Sequence, residues 1–96
     1  PLNKEHVIKI MEIQLKLLRK RLAARKLTLD ITDRVKTQLV KEGYDPVFGA
    51  RPLKRVIQQR LQNPLALKLL EGEFKDGQHL MVDLSPVGEL IFKESQ

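Results

Sequence analysis

Along the first quarter of the chain, apolar residues return at helical spacing. Placed at about 100° per residue, Val7, Ile8, Met11, Leu15, Leu18 and Leu22 form one dense arc. A second apolar sector, Ile10, Ile13 and Leu17, lies beside it beyond Gln14 and Arg21, and Lys9, Glu12, Lys16, Arg19 and Lys20 make a narrow polar face. The pattern predicts a helix over residues 3–25, with Asn3 as its N-cap. Its apolar surface wraps about 220°, roughly twice the stripe that a helix on one core buries. Either the helix is sandwiched inside its own small core, or Ile10, Ile13 and Leu17 meet a partner outside this chain.

Leu27, Leu29 and Ile31 alternate with Thr28 and Asp30, which predicts a short strand over residues 26–31. Thr32 or Asp30 then caps a second helix reaching Glu42, with Val35, Leu39 and Val40 on its apolar face. Gly43 is placed to close that helix in a left-handed cap. Residues 44–50 read as a loop, opened by Asp45-Pro46 and eased by Gly49. A third helix is predicted from Arg51, with Pro52 in its first turn and Leu53, Val56, Ile57 and Leu61 as its buried stripe. Asn63-Pro64 is expected to break it and start a fourth helix carrying Leu65, Leu69 and Leu70, which stops at Gly72. Two strands follow, one with Leu80, Val82 and Leu84, the other with Leu90 and Phe92, joined through residues 85–88. The expected fold is α+β: four helices with a small three-stranded sheet, in which an antiparallel hairpin takes the first strand at one edge.

The chain has 96 residues, enough for one domain over residues 1–96 and only a modest core. It contains no cysteine, which excludes a disulfide framework, a thiolate metal site and a cysteine nucleophile. His6 and His79 lie far apart, without metal-ligand spacing. No apolar run approaches the roughly 20 residues that span a bilayer. The first nine residues lack a signal-peptide pattern and the chain opens on proline, so it reads as a cytoplasmic piece of a longer protein. Eighteen Lys and Arg against 12 Asp and Glu give a net charge of +6. Such a balance fits nucleic acid, a bound phosphate group or an acidic protein surface. The aromatic residues are only Tyr44, Phe48, Phe74 and Phe92, too few for a single-strand stacking platform, while duplex binding stays open.

No phosphate loop of the form G-x-x-x-x-G-K-S/T occurs, nor a nucleophile elbow, a zinc motif or a pair of catalytic carboxylates. The chain alone is therefore expected to have no active site. What stands out is the segment GYDPVFGARPLKR, residues 43–55. On the third helix Arg51, Lys54, Arg55 and Gln58 fall within about 100° of one another, opposite the apolar stripe. Cations in a first helical turn oppose the helix dipole. Their presence there points to a held anion; the alternative is a solvated basic face making weak ion pairs.

GYDPVFGARPLKR, followed by Ile57-Gln58-Gln59 and Asn63-Pro64-Leu65-Ala66, resembles the C-terminal small domain of Clp-type AAA+ ATPases, above all the ClpB disaggregase branch. The resemblance runs from Pro1-Leu2 through Ile13-Gln14-Leu15 to the hairpin. It implies that Gly49-Ala50-Arg51 is the sensor-2 element, whose Arg51 reaches the terminal phosphates of ATP or ADP, with Lys54 beside it. It implies that Ile13 and Leu17, with Ile10, border the adenine pocket and the large domain. The phosphate loop, the Walker-B acid that holds Mg²⁺ and the pore loops would then belong to that large domain. Hydrolysis would be a property of the parent AAA+ ATPase, and this domain by itself would be inert. Implied partners are the large AAA+ domain of the same and of the neighbouring subunit in a homohexamer, and unfolded or aggregated protein as the parent's substrate. No membrane is implied, and nucleic acid is disfavoured. The alternatives are a ClpA- or ClpC-like unfoldase working with a peptidase, a basic nucleic-acid-binding module, and a purely structural oligomerisation domain.

Overall fold

The computed structural model describes residues 4–94; the predicted cap Asn3 lies outside them. Helix α1 spans Lys4–Ala23. It closes in a Schellman-type end: the Leu27 N–H donates to the Leu22 carbonyl (3.0 Å) and the Lys26 N–H to that of Ala23 (2.9 Å). Lys26 takes the left-handed position at φ 59°, and Leu22 and Leu27 are both buried. Strand β1 is Thr28–Ile31, its Leu29 and Ile31 facing the core. Thr32 caps α2 (Asp33–Gly43) by accepting the Val35 N–H on its hydroxyl at 3.3 Å.

Two sequence expectations need correction here. Gly43 is not a left-handed cap: it is the last residue of α2, and Tyr44 after it is extended at φ −106°, ψ 133°. Gly43 is buried, and a Cβ on it would lie 2.4 Å from Leu53 Cδ1. The glycine serves a close approach rather than a turn.

The helices number three rather than the expected four, because Asn63-Pro64 does not break the chain into a third and a fourth helix. A single helix, α3, runs over residues 53–70 as α-helical Leu53–Ile57, a π-helical turn at Gln58–Gln62 and α-helical Asn63–Leu70. The backbone stays right-handed helical through Gln62 (φ −65°, ψ −49°) and Asn63 (φ −67°, ψ −48°). The Asn63 N–H donates to the Gln58 carbonyl, five residues back. Pro64 lacks an N–H, and in a regular α-helix its ring would press on the carbonyl four residues earlier. The wider π turn relieves both problems. It also keeps one face in register. Leu53, Ile57, Leu61 and Leu65 are spaced by four and are at most 3% exposed, although a strict spacing of four drifts around a 3.6-residue helix. The fold is thus α+β with three helices and a three-stranded sheet.

Strands β2 (His79–Leu84) and β3 (Leu90–Glu94) form the expected antiparallel hairpin, with Leu80 opposite Glu94 and Leu84 opposite Leu90. The sheet order is β1-β2-β3, and β1 lies parallel to β2, Thr28 beside His79 and Ile31 beside Val82. A parallel neighbour requires a crossover, and α2, the 44–52 loop and α3 supply it. On the sheet's open side the His79 ring bonds the Asp30 carboxylate (2.5 Å) and the Thr28 hydroxyl, clamping the parallel pair.

The core gathers one face of each helix and the inner face of the sheet, and no polar or charged residue among those described is buried in it. Val7, Met11, Leu15, Leu18 and Leu22 of α1 are buried, but Ile8 of the same arc is 39% exposed. The second sector stays largely outside: Ile13 is 59% and Leu17 47% exposed, while Ile10 packs against the core edge. No helix among the described residues is long and apolar enough to cross a membrane.

Candidate functional site

The loop between α2 and α3 is closed by its own polar groups. The Asp45 carboxylate accepts the N–H groups of Val47 (2.7 Å) and Phe48 (3.0 Å), an Asx turn. Asp45 and Gly49 exchange backbone hydrogen bonds at 2.8 and 2.7 Å. Gly49 sits at φ 64°, where a side chain would be strained. The chain then turns into α3 through the Arg51 N–H on the Phe48 carbonyl (3.2 Å) and the Leu53 N–H on that of Ala50 (3.0 Å). Fully buried Leu53, seated against Gly43, anchors the end of this loop.

Gly49, Ala50 and Arg51 therefore occupy a fixed turn just before α3, with the Arg51 side chain at the surface. Its guanidinium carbon lies 5.2 Å from the centroid of the Phe48 ring. No carboxylate among the described residues pairs with Arg51, Lys54 or Arg55. Three other arginines are paired with carboxylates: Arg25 with Asp76 (3.5 Å), Arg34 with Asp83 (3.2 Å) and Arg60 with Glu42 (3.1 Å). Unneutralised cations at one helix start are what an anion site needs.

Lys54 also lines a small cleft of about 30 Å³ between α1 and α3, with Gln58 and Gln62 from its own helix and Gln14, Leu17 and Arg21 from α1. The structure thus brings Leu17 and Lys54 together and adds Arg21, which in the sequence only divides two apolar sectors. Ile13 is one turn before Leu17 on the exposed side of α1 and outside the cleft. The cleft has room for a water molecule and nothing larger. Two larger grooves, of about 430 and 260 Å³, run along α2 past Thr37 and Val40 and contain none of the predicted site residues. Their linings are mainly apolar, with Lys36 paired to Glu12 (3.2 Å) at the smaller one. Size does not mark the chemistry here. Among the described residues no group of three His, Cys, Asp or Glu could hold a metal ion.

The family model for the C-terminal, D2-small domain, of ClpB protein matches residues 2–82. The chain belongs to the ClpB D2-small domain family. Among its relatives, the chaperone protein ClpB of Meiothermus ruber is 52% identical over 88 residues, covering 92% of this chain and 10% of the relative. The ClpB chaperone of Corynebacterium efficiens is 45% identical over 91 residues, 95% of this chain and 11% of the relative. That of Aquifex aeolicus is 45% identical over 92 residues, 96% of this chain and 9% of its own length. The chain spans about a tenth of the length of the curated relatives it matches. The ClpB reading is favoured over the ClpA- or ClpC-like one and over a nucleic-acid module. In this ClpB D2-small domain Gly49-Ala50-Arg51 lies on the fixed turn before α3.

Proposed function

We propose that this ClpB D2-small domain senses nucleotide and packs subunits within an ATP-dependent chaperone that pulls apart aggregated protein. In this reading Arg51 reaches the terminal phosphates of ATP or ADP held by a large AAA+ domain outside the chain. The observation that carries it is the fixed, surface-facing Arg51 without a carboxylate partner, with Lys54 close behind it. A guanidinium presents a planar fork of donors that matches phosphate oxygens and strengthens as charge builds on them. Lys54, with Arg21 across the cleft from it, adds positive potential on this side of the domain. Ile13 and Leu17 offer an apolar strip for the adenine side and the large domain. In this reading Mg²⁺ is held by the large domain. A cation that binds one charge state of the phosphates more tightly than another biases the small domain's orientation accordingly. In a homohexamer, that bias passes to the next subunit's large domain and drives threading of polypeptide.

The test compares this chain with a full-length ClpB carrying it. Arg51 is exposed, so Arg51→Ala is expected to cost the chain well under about 1 kcal/mol in a thermal melt. In the full-length protein the same change is expected to reduce ATP turnover severely. Arg51→Lys should restore it only in part, because an ammonium lacks the planar fork. Normal turnover of the alanine variant would remove Arg51 from the nucleotide site, and a large loss of stability would make it a structural residue.

A further inference from the structure

Phe48 is 56% exposed, yet the loop holds it more firmly than a surface phenylalanine needs. Its N–H is bound by the Asp45 carboxylate at 3.0 Å, and its carbonyl accepts the Arg51 N–H at 3.2 Å. Gly49, between them, is bonded back to Asp45 in both directions. The outcome of these constraints is a ring carried beneath the Arg51 guanidinium, 5.2 Å from centroid to Cζ, within the roughly 6 Å over which a ring attracts a cation.

The kind of partner matters. A carboxylate would occupy the N–H donors of Arg51 and cancel its charge. An aromatic ring attracts the cation through its π face, and it leaves the charge intact and the in-plane donors free for another ligand. It also restricts a side chain whose rotamer freedom would otherwise be lost on docking, so less is lost at that moment. We propose that Phe48 is the positioning residue for Arg51, a platform that holds the guanidinium extended and unneutralised until it meets the anionic phosphates. This proposal rests on the reading of Arg51 as the phosphate-contacting residue.

The experiment uses full-length ClpB carrying this domain, with Phe48→Leu, Phe48→Tyr, Arg51→Ala and the Phe48→Leu/Arg51→Ala double variant, and ATP as the probe. Phe48→Leu is expected to lower kcat by about two- to fivefold, the size of one exposed cation–π contact. Its KM for ATP should change less than its kcat, because binding to the large domain's own groups is retained. Phe48→Tyr keeps the ring and should stay near wild type. In the Arg51→Ala background Phe48→Leu should have no further effect, since the partner is gone. Full activity of Arg51→Ala would overturn the reading of Arg51 itself. An impaired Arg51→Ala beside an unimpaired Phe48→Leu would overturn only the role of Phe48. So would a Phe48→Leu effect that persists undiminished without Arg51, or a loss that Phe48→Tyr shares.

Discussion

At Gly43 two helices approach so closely that one hydrogen is all the space allows. A Cβ there would sit 2.4 Å from Leu53 Cδ1, 2.8 Å from Leu53 Cα and 3.0 Å from Leu53 Cβ. A flexible tip could swing aside, but the Leu53 Cα belongs to the first turn of α3 and moves only with it. Gly43→Ala is therefore expected to destabilise the chain by about 1–3 kcal/mol, the usual cost of overpacking. Urea denaturation measures it, and a change below about 0.5 kcal/mol would mean that α3 gives way freely. The same residue marks a limit of what the sequence can say. A glycine at a helix end can serve a positive φ or a missing side chain, and only its partner ten residues on, Leu53, decides between them. The surface position of Arg51 before α3 was legible because it is stated locally, by a cation beside Pro52 after a turn-forming glycine. The stacking of Phe48 beneath it was not legible, because facing side chains in a loop follow no period.

Among the elements, β1 and the hairpin were readable from alternation alone, since burial on one face of a strand imposes a period of two. The length of α3 was not. Asn63-Pro64 carries the local signature of a helix start, and the signal against a break was spread over the spacing of Leu53, Ile57, Leu61 and Leu65. Tertiary burial of that stripe overrides the local signal by widening one turn. Side-chain ties between elements escape periodicity as well, and Asp83 is the clearest. From β2 it accepts the Thr32 hydroxyl (3.3 Å) and the Arg34 guanidinium (3.2 Å) at the N-terminus of α2. Its carboxyl is held below the usual value of 3.8, chiefly by the Leu84 N–H at 2.7 Å, with Arg34, Thr32 and Lys93 adding to this against partial desolvation. A depressed folded pKa contributes stability above the unfolded value, and that contribution is lost as pH falls through the folded one. Asp83→Asn should thus lower stability by a constant amount from about pH 5 to pH 8, and the gap should shrink as pH falls below about 4. Urea midpoints across that range test this. A gap that persists undiminished at about pH 2 would show that the ionised carboxylate is not what ties β2 to α2.

Over the whole molecule, the surface is larger than the chain's size requires. The domain measures 42 × 29 × 21 Å and exposes 6549 Å², against about 5,700 Å² for a compact monomer of this mass. Part of the surplus is apolar and lies along α1, where Ile13 and Leu17 face outward beside the Lys54 cleft. Adjacent residues on that helix therefore sit in different surroundings. Leu18, 6% exposed, belongs to the core, and Leu17, 47% exposed, does not. Leu18→Ala should cost about 2–5 kcal/mol through lost burial and the cavity left behind. Leu17→Lys, alone or with Ile13→Lys, should change the chain's stability by no more than about 0.5 kcal/mol, since a lysine there keeps its charge in water. In full-length ClpB the order is expected to reverse in kind: the lysines would bury charge against the large domain, weakening ATP binding and subunit packing while the domain itself stays folded. Thermal melts of the chain, with nucleotide titration and sedimentation of the full-length protein, separate the outcomes. If Leu17→Lys unfolds the chain, the strip belongs to its own core. If the full-length protein binds nucleotide and assembles normally with both lysines, the large domain does not cover this face of α1.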